Sequence, residues 1–202
     1  MARMDEPLIL ASGSSSRRKL LAAAGLEVRV ESALVDEGAT KCIFEADGEA
    51  AADCALALAE AKARQVAGGH RHALVVGADQ ILLCDSRWFN KPTDLADARA
   101  QLQLLRGRTH ELVTAACVVR ETARIWHTVV SAKLTMRHFS DAFLDAYLSA
   151  EQTAILGSVG AYRLEGRGIQ LFADIQGDYF GILGLPLLEL LSFLRSRGAL
   201  AS

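Results

Sequence analysis

Two short stretches carry residue types that could do chemistry. Ser12-Gly13-Ser14-Ser15-Ser16-Arg17-Arg18 sets four hydroxyls and two guanidinium groups between the apolar run Leu8 to Ala11 and a segment with Leu20, Leu21 and Ala24 at helical spacing. The stretch therefore lies on a strand-to-helix turn. Unpaired amides and the dipole of a helix N-terminus favour an anion there, and arginine can grip a phosphate through two parallel hydrogen bonds. Serines at a helix start also cap it without any ligand, so the pattern alone leaves both readings open.

The second stretch is Gly77-Ala78-Asp79-Gln80, an acid among small residues at the end of the apolar run that starts at Ala73. A carboxylate beside buried strands is costly unless it has a partner, a metal or a catalytic task. A strand-end aspartate satisfied by backbone amides is the plain alternative. Lys62, on an alanine-rich helix, Lys91, held on a stiff segment by Pro92, and Glu37 in Val35-Asp36-Glu37 could complete a site. Taken singly, each reads as an ordinary surface charge.

These residues need elements to position them. Pro7 to Ala11 reads as a buried strand, with a helix opened by Arg17 and ended by Gly25. A strand around Glu27 to Val30 leads into an irregular acidic stretch. Glu49 to Ala67 forms a long helix stopped by Gly68-Gly69, and Ala73 to Ala78 a second buried strand. Thr93 or Asp94 caps a helix through Leu105, stopped by Gly107, and two strand-like segments follow, Glu111 to Val119 and Arg124 to Arg137. Ser140-Asp141 caps a helix through Ser149, and after a glycine-punctuated region Pro186 begins a leucine-rich helix. Strands alternating with helices and then adjacent strands predict an α/β fold with a mixed sheet.

Composition bounds the partners. The 202 residues are 51% hydrophobic, with 22 basic against 24 acidic side chains, which suits one sizeable core in one domain. A net charge of -2 without like-charge blocks gives no electrostatic reason to expect a nucleic acid or an anionic membrane. The longest uncharged stretch, Gln152 to Tyr162, falls well short of the roughly 18 residues of a membrane span. The opening MARMDEPLIL lacks the pattern of a signal peptide, and a cytoplasmic protein is expected. Cys42, Cys54, Cys84 and Cys117 form no CxxC pair and read as core or incidental thiols, and His70-x-His72 reads as a solvated turn. No Walker loop, no GxGxxG after a strand and no GxSxG elbow occurs, which sets aside kinase-type, dinucleotide-binding and serine-hydrolase readings.

In chain order, the motifs are Leu8-Ile-Leu-Ala-Ser-Gly-Ser, Val35-Asp36-Glu37, Ala61-Lys62-Ala63, Gly77-Ala78-Asp79, Lys91-Pro92, Gly160-Ala161-Tyr162, Glu165-Gly166-x-Gly168, Gly177-Asp178-Tyr179 and Gly184-Leu-Pro. Together they resemble the Maf family of nucleotide pyrophosphatases over nearly the whole chain. The resemblance implies a single elongated α/β domain over residues 1–202, a Maf/ITPase-like mixed β-sheet flanked by helices with two lobes around a cleft. It also implies a divalent metal, Mg²⁺ or Mn²⁺, homodimers, and cleavage of a nucleoside triphosphate to monophosphate and pyrophosphate. By the same resemblance Ser12, Ser14 and Arg17 contact phosphate, Lys62 and Lys91 neutralise it, Glu37 and Asp79 hold metal, and Asp79 is the proton acceptor. A non-catalytic nucleotide-binding regulator of cell division is the alternative; loss of Asp79, Lys91 or Glu37 would mark it, and all three are present.

The chain departs from the family pattern at one place. Ser15 and Ser16 stand where many members have proline and a first arginine, and Arg18 is an extra basic residue counted with the phosphate ligands. Family branches differ at the positions of Ser16, Gln80 and Glu165. Gln80 and Glu165 are similar to the branch described for 7-methyl-GTP, and a carboxylate can accept from the N1–H and amino group of a guanine edge.

Overall fold

A computed structural model describes residues 6–200; Met1 to Asp5, where the opening segment read above begins, lie outside the described residues. Chain order is β1 (Leu8–Leu10), α1 (Ser15–Ala23), β2 (Arg29–Val30), α2 (Glu37–Ala46), α3 (Ala51–Ala67), β3 (Leu74–Cys84), β4 (Arg87–Phe89) and α4 (Leu95–Leu105). Then come β5 (Thr109–Arg120), β6 (Ala123–Met136), α5 (Asp141–Glu151), a run of short 3-10 turns, β7 (Phe172–Gln176), α6 (Tyr179–Ile182) and α7 (Leu187–Ser196).

The strands form one mixed seven-stranded sheet in the order β2-β1-β3-β5-β6-β7, with β4 paired to β3 outside that path. β1 runs parallel to both β2 and β3, setting Ile9 opposite Arg29 and Val75. β4 is antiparallel to β3, and β7 to β6. Only Glu121 and Thr122 separate β5 from β6, and so short a link makes them a hairpin.

Two compact units share the chain. The first takes the chain up to Asp79, Thr114–Val130 and the chain from Gly184; the second takes Gln80–Val113 and Ser131–Leu183. In the first unit, Ile9, Leu10, Leu21, Leu58, Val75 and Val118 are fully or almost fully buried. Gly77 lets α3 lie close on β3, because a Cβ at that position would fall 2.0 Å from the Ala59 carbonyl oxygen.

The second unit has its own core, in which Leu82, Leu102, Leu134 and Leu144 are fully buried. The end of β6 alternates buried Ala132, Leu134 and Met136 with the less buried Lys133 and Thr135, as a strand with one packed face must. His110 lies within this unit, its Nε2 2.9 Å from the Tyr162 hydroxyl and its ring tilted against Phe172. Burial pushes the imidazole down to about 4. An unfolded histidine titrates near 6.5, so between about 4 and 6.5 the unfolded chain binds the extra proton and stability falls as pH drops through that window. The loss should reach roughly 3 kcal/mol by the acid end of the window. Urea midpoints at pH 7 and pH 4.5 check this: His110→Gln should narrow the gap between them, and an unchanged gap would place the acid sensitivity elsewhere.

Three expectations are corrected. The acidic stretch after β2 is not irregular but forms α2, capped by Asp36, whose Oδ1 accepts from the Ala39 amide at 2.9 Å. α1 begins at Ser15 rather than Arg17, because Ser14 is the cap. β3 does not stop at Ala78 but runs on to Cys84, with Asp79 inside the strand. A buried acid is tolerated there because a cation meets it from α3. The other helix expectations agree to within a residue or two, including the Asp94 and Ser140 caps.

Candidate active site

The start of α1 uses its serines and arginine on one another. Ser14 Oγ accepts from the Arg17 amide at 3.4 Å, and Ser12 Oγ accepts from the Ser14 amide at 3.3 Å. The Arg17 side chain turns inward, 8% exposed, donating from Nη1 to Ser12 Oγ at 3.0 Å and from Nε to the Gly184 carbonyl at 2.6 Å. Ser14 thus caps the helix, as the plain reading has it, while Arg17 is buried and not solvated as that reading also supposed. Gly184 has φ +97°, a conformation that favours glycine, and a Cβ there would crowd Arg17 Nε at 3.2 Å. Arg18, next in sequence, is exposed, and Ser16 is half-buried.

Asp79, 4% exposed, points to α3, where the buried Lys62 bonds its Oδ1. Lys62 Nζ also lies 2.6 Å from Oε1 of Glu37, the first residue of α2. One ammonium therefore bridges two carboxylates that lie far apart in sequence. Asp79 Oδ2 is buried and has no hydrogen-bond partner. Such an atom is costly unless something polar comes to it. Arg17 feels the same charges: burial holds its guanidinium below the ordinary value, while Asp79 and then Glu37 pull it back up.

Ser12, Ser14, Arg17, Glu37, Lys62 and Asp79 thus all belong to the first unit. Gln80, Lys91 and Glu165 belong to the second. Lys91 is exposed just beyond β4. Gln80 donates from its amide nitrogen to the carbonyls of Gly181 and Ile182, both at 3.1 Å, and so tethers α6. Glu165 Oε1 lies 3.6 Å from Arg163 Nε, and Arg163 Nη1 lies 3.4 Å from Glu151. Arg163, which the sequence motifs did not flag, therefore lies between Glu165 and Glu151. Its only signal was a lone arginine two places before the Glu165-Gly166 pair.

Cys54, Cys84 and Cys117 are buried free thiols and Cys42 is an exposed one. Burial above all pushes Cys54 up to about 11 and Cys117 up to about 12, which suits inert core residues. His70 is more engaged than a solvated turn implies, its Nε2 lying 2.9 Å from Glu31. No helix is long and apolar enough to cross a membrane among the described residues.

The chain belongs to the Maf family, whose model, described as Maf-like protein, matches residues 7–197. A nucleoside triphosphate pyrophosphatase of Rhodospirillum rubrum is 50% identical over 100% of both chains. Another, of Paramagnetospirillum magneticum, is 52% identical over 95% of this chain and 99% of its own. A 7-methyl-GTP pyrophosphatase of Rhizobium meliloti is 49% identical over 98% of this chain and 99% of its own.

Proposed function

We propose that this protein hydrolyses nucleoside triphosphates to monophosphate and pyrophosphate, with Asp79 as the group that takes the proton from the attacking water. The observation that carries this is the buried, unpartnered Oδ2 of Asp79. Its other oxygen is fixed by Lys62, so the carboxylate is held in one orientation with an acceptor to spare. The names of the similar proteins support the reaction type.

In the proposed reaction a water on Oδ2 attacks the α-phosphorus, its proton passes to Asp79, and the bond to the oxygen of the β-phosphate breaks to release pyrophosphate. Ser12, Ser14, the α1 amides and Arg17 hold phosphate oxygens. The bonds of Arg17 Nε and Nη1 leave the rest of its fork to a phosphate. Lys62 and Lys91 add positive charge, and positioning with charge stabilisation supplies most of such catalysis. Glu37 and Asp79 would hold a divalent cation, which needs only one or two carboxylates beside substrate phosphates and would supply Lewis-acid charge neutralisation. The unpartnered Oδ2 fits that donor set.

For the base, Glu165 is the reader, steadied by Arg163, and a guanine-type base is the substrate class, with 7-methyl-GTP as the modified example. Methylation at N7 leaves a cationic ring, which a carboxylate attracts, and the N1–H and amino group both donate to it.

Assays with Mg²⁺ or Mn²⁺ and a panel of canonical and modified triphosphates should yield monophosphate and pyrophosphate together, and chelator should stop the reaction. Orthophosphate with diphosphate as sole products would overturn the reading, and tight binding without turnover would leave a non-catalytic regulator. In the same panel Glu165→Gln should reduce the preference for guanine-type over pyrimidine substrates by roughly tenfold or more. Gln80 is kept in that comparison because it holds the α6 carbonyls. An unchanged ranking would place base choice outside Glu165.

A further inference from the structure

Helix α2 turns a cation inward beside the half-buried Phe44. Its one buried residue is Lys41, 6% exposed, whereas Ile43 is 60% exposed. A surface helix on an apolar core does the opposite. A buried ammonium persists where opposite charge compensates it, so α2 covers something polar. Lys41 lies one turn beyond Glu37 and leaves the same face of the helix. Glu37 reaches the Lys62 that holds Asp79, and α2 packs on α3, which carries Lys62. Cys54 on α3 senses these charges: after burial, Asp79 raises its thiol, Lys41 opposes that rise, and Glu45, one turn beyond Lys41 on α2, adds to it.

We propose that Lys41 is a further phosphate ligand of this site, taking a non-bridging oxygen of the triphosphate and staying with the pyrophosphate as it leaves. This rests on the pyrophosphatase reading and names a residue that reading does not use. With Arg17 and Lys62 it sets three cations beside Glu37, Asp79 and Glu45, so a polyanion would meet a cluster of cations already gathered by carboxylates. The rival is that Lys41 only seats α2 by neutralising Glu37 and Glu45.

Steady-state kinetics of Lys41→Gln and Lys41→Arg, with inhibition by inorganic pyrophosphate and thermal unfolding alongside, separate the two. A lost charge-assisted phosphate contact should raise KM and the inhibition constant for pyrophosphate together, by about 10- to 100-fold, and Lys41→Arg should recover most of it. A variant that melts earlier but keeps both constants would overturn the proposal. Should Lys41→Gln not fold, the Lys41 ammonium NMR signal of the wild type, assigned by its loss in Lys41→Arg, decides: it should shift on adding pyrophosphate, and a signal that stays put overturns the proposal. The wild-type product assay keeps the two readings apart. An active wild type with unaltered pyrophosphate binding in the variants defeats only the role of Lys41, whereas a wild type that releases no pyrophosphate from any triphosphate defeats the proposed reaction.

Discussion

Asp79→Asn should give a folded protein whose kcat is lower by roughly two to four orders of magnitude, the usual cost of removing a general base. Asparagine has nearly the same shape, and its amide oxygen can still accept from Lys62. That ammonium also keeps Glu37 at 2.6 Å, so the buried cation is not stranded. What disappears is the basic oxygen at the Oδ2 position, replaced by an N–H donor that cannot take a proton. Loss of any metal contact would add to the effect. If Asp79 merely anchors Lys62 within β3, the same change would lower stability modestly and leave most turnover in place. Measuring kcat beside the unfolding temperature decides between them: a stable variant with near-normal kcat would remove Asp79 from the mechanism.

The second large effect is expected at Gly77. Its φ lies outside the left-handed region, so alanine meets no backbone penalty, only contact. The added methyl would sit 2.0 Å from the Ala59 oxygen and 2.9 Å from the Ala63 Cβ. Neither neighbour is the far end of a flexible side chain, so α3 itself must move. Overpacking of this kind costs about 1–3 kcal/mol, and a backbone clash belongs at the upper end. In a chain of this size that is roughly a 6–12 °C fall in unfolding temperature. Ala59 and Ala63 flank Lys62, so a displaced α3 also draws the ammonium away from Asp79 and activity should fall with stability. A Gly77→Ala melting point within about 2 °C of wild type would show that β3 and α3 have slack.

Much of this was legible in the chain because local rules and tertiary demands agree. The α1 turn, the Asp94 and Ser140 caps and the β5–β6 pair follow from spacing and capping chemistry. Asp79, Lys62 and Glu37 were visible as singletons and in family order, but their convergence on one ammonium is a tertiary fact that no spacing encodes. α2 was missed for a physical reason. Its inward face mixes Glu37 and Lys41 with Phe44 and its outward face carries Ile43, so a search for an apolar stripe finds none that is continuous. β3 was cut short at Asp79 by the same logic, since an acid reads as an ending when its partner lies 17 residues upstream on another element. The tether from Gln80 to α6, which spans about half the chain, had no local signature.

β3 also places the proposed proton acceptor and a candidate specificity residue side by side, Asp79 then Gln80. Successive side chains of a strand leave opposite faces of the sheet. Asp79 therefore answers to α3 and Lys62, Gln80 to the carbonyls of α6, and the boundary between the two units falls at the peptide bond joining them. The two positions answer to different neighbours. A change at Gln80 would thus loosen α6 and leave the Lys62 contact of Asp79 in place, whereas a one-residue slip of the strand would turn each side chain to the other face and forfeit both contacts.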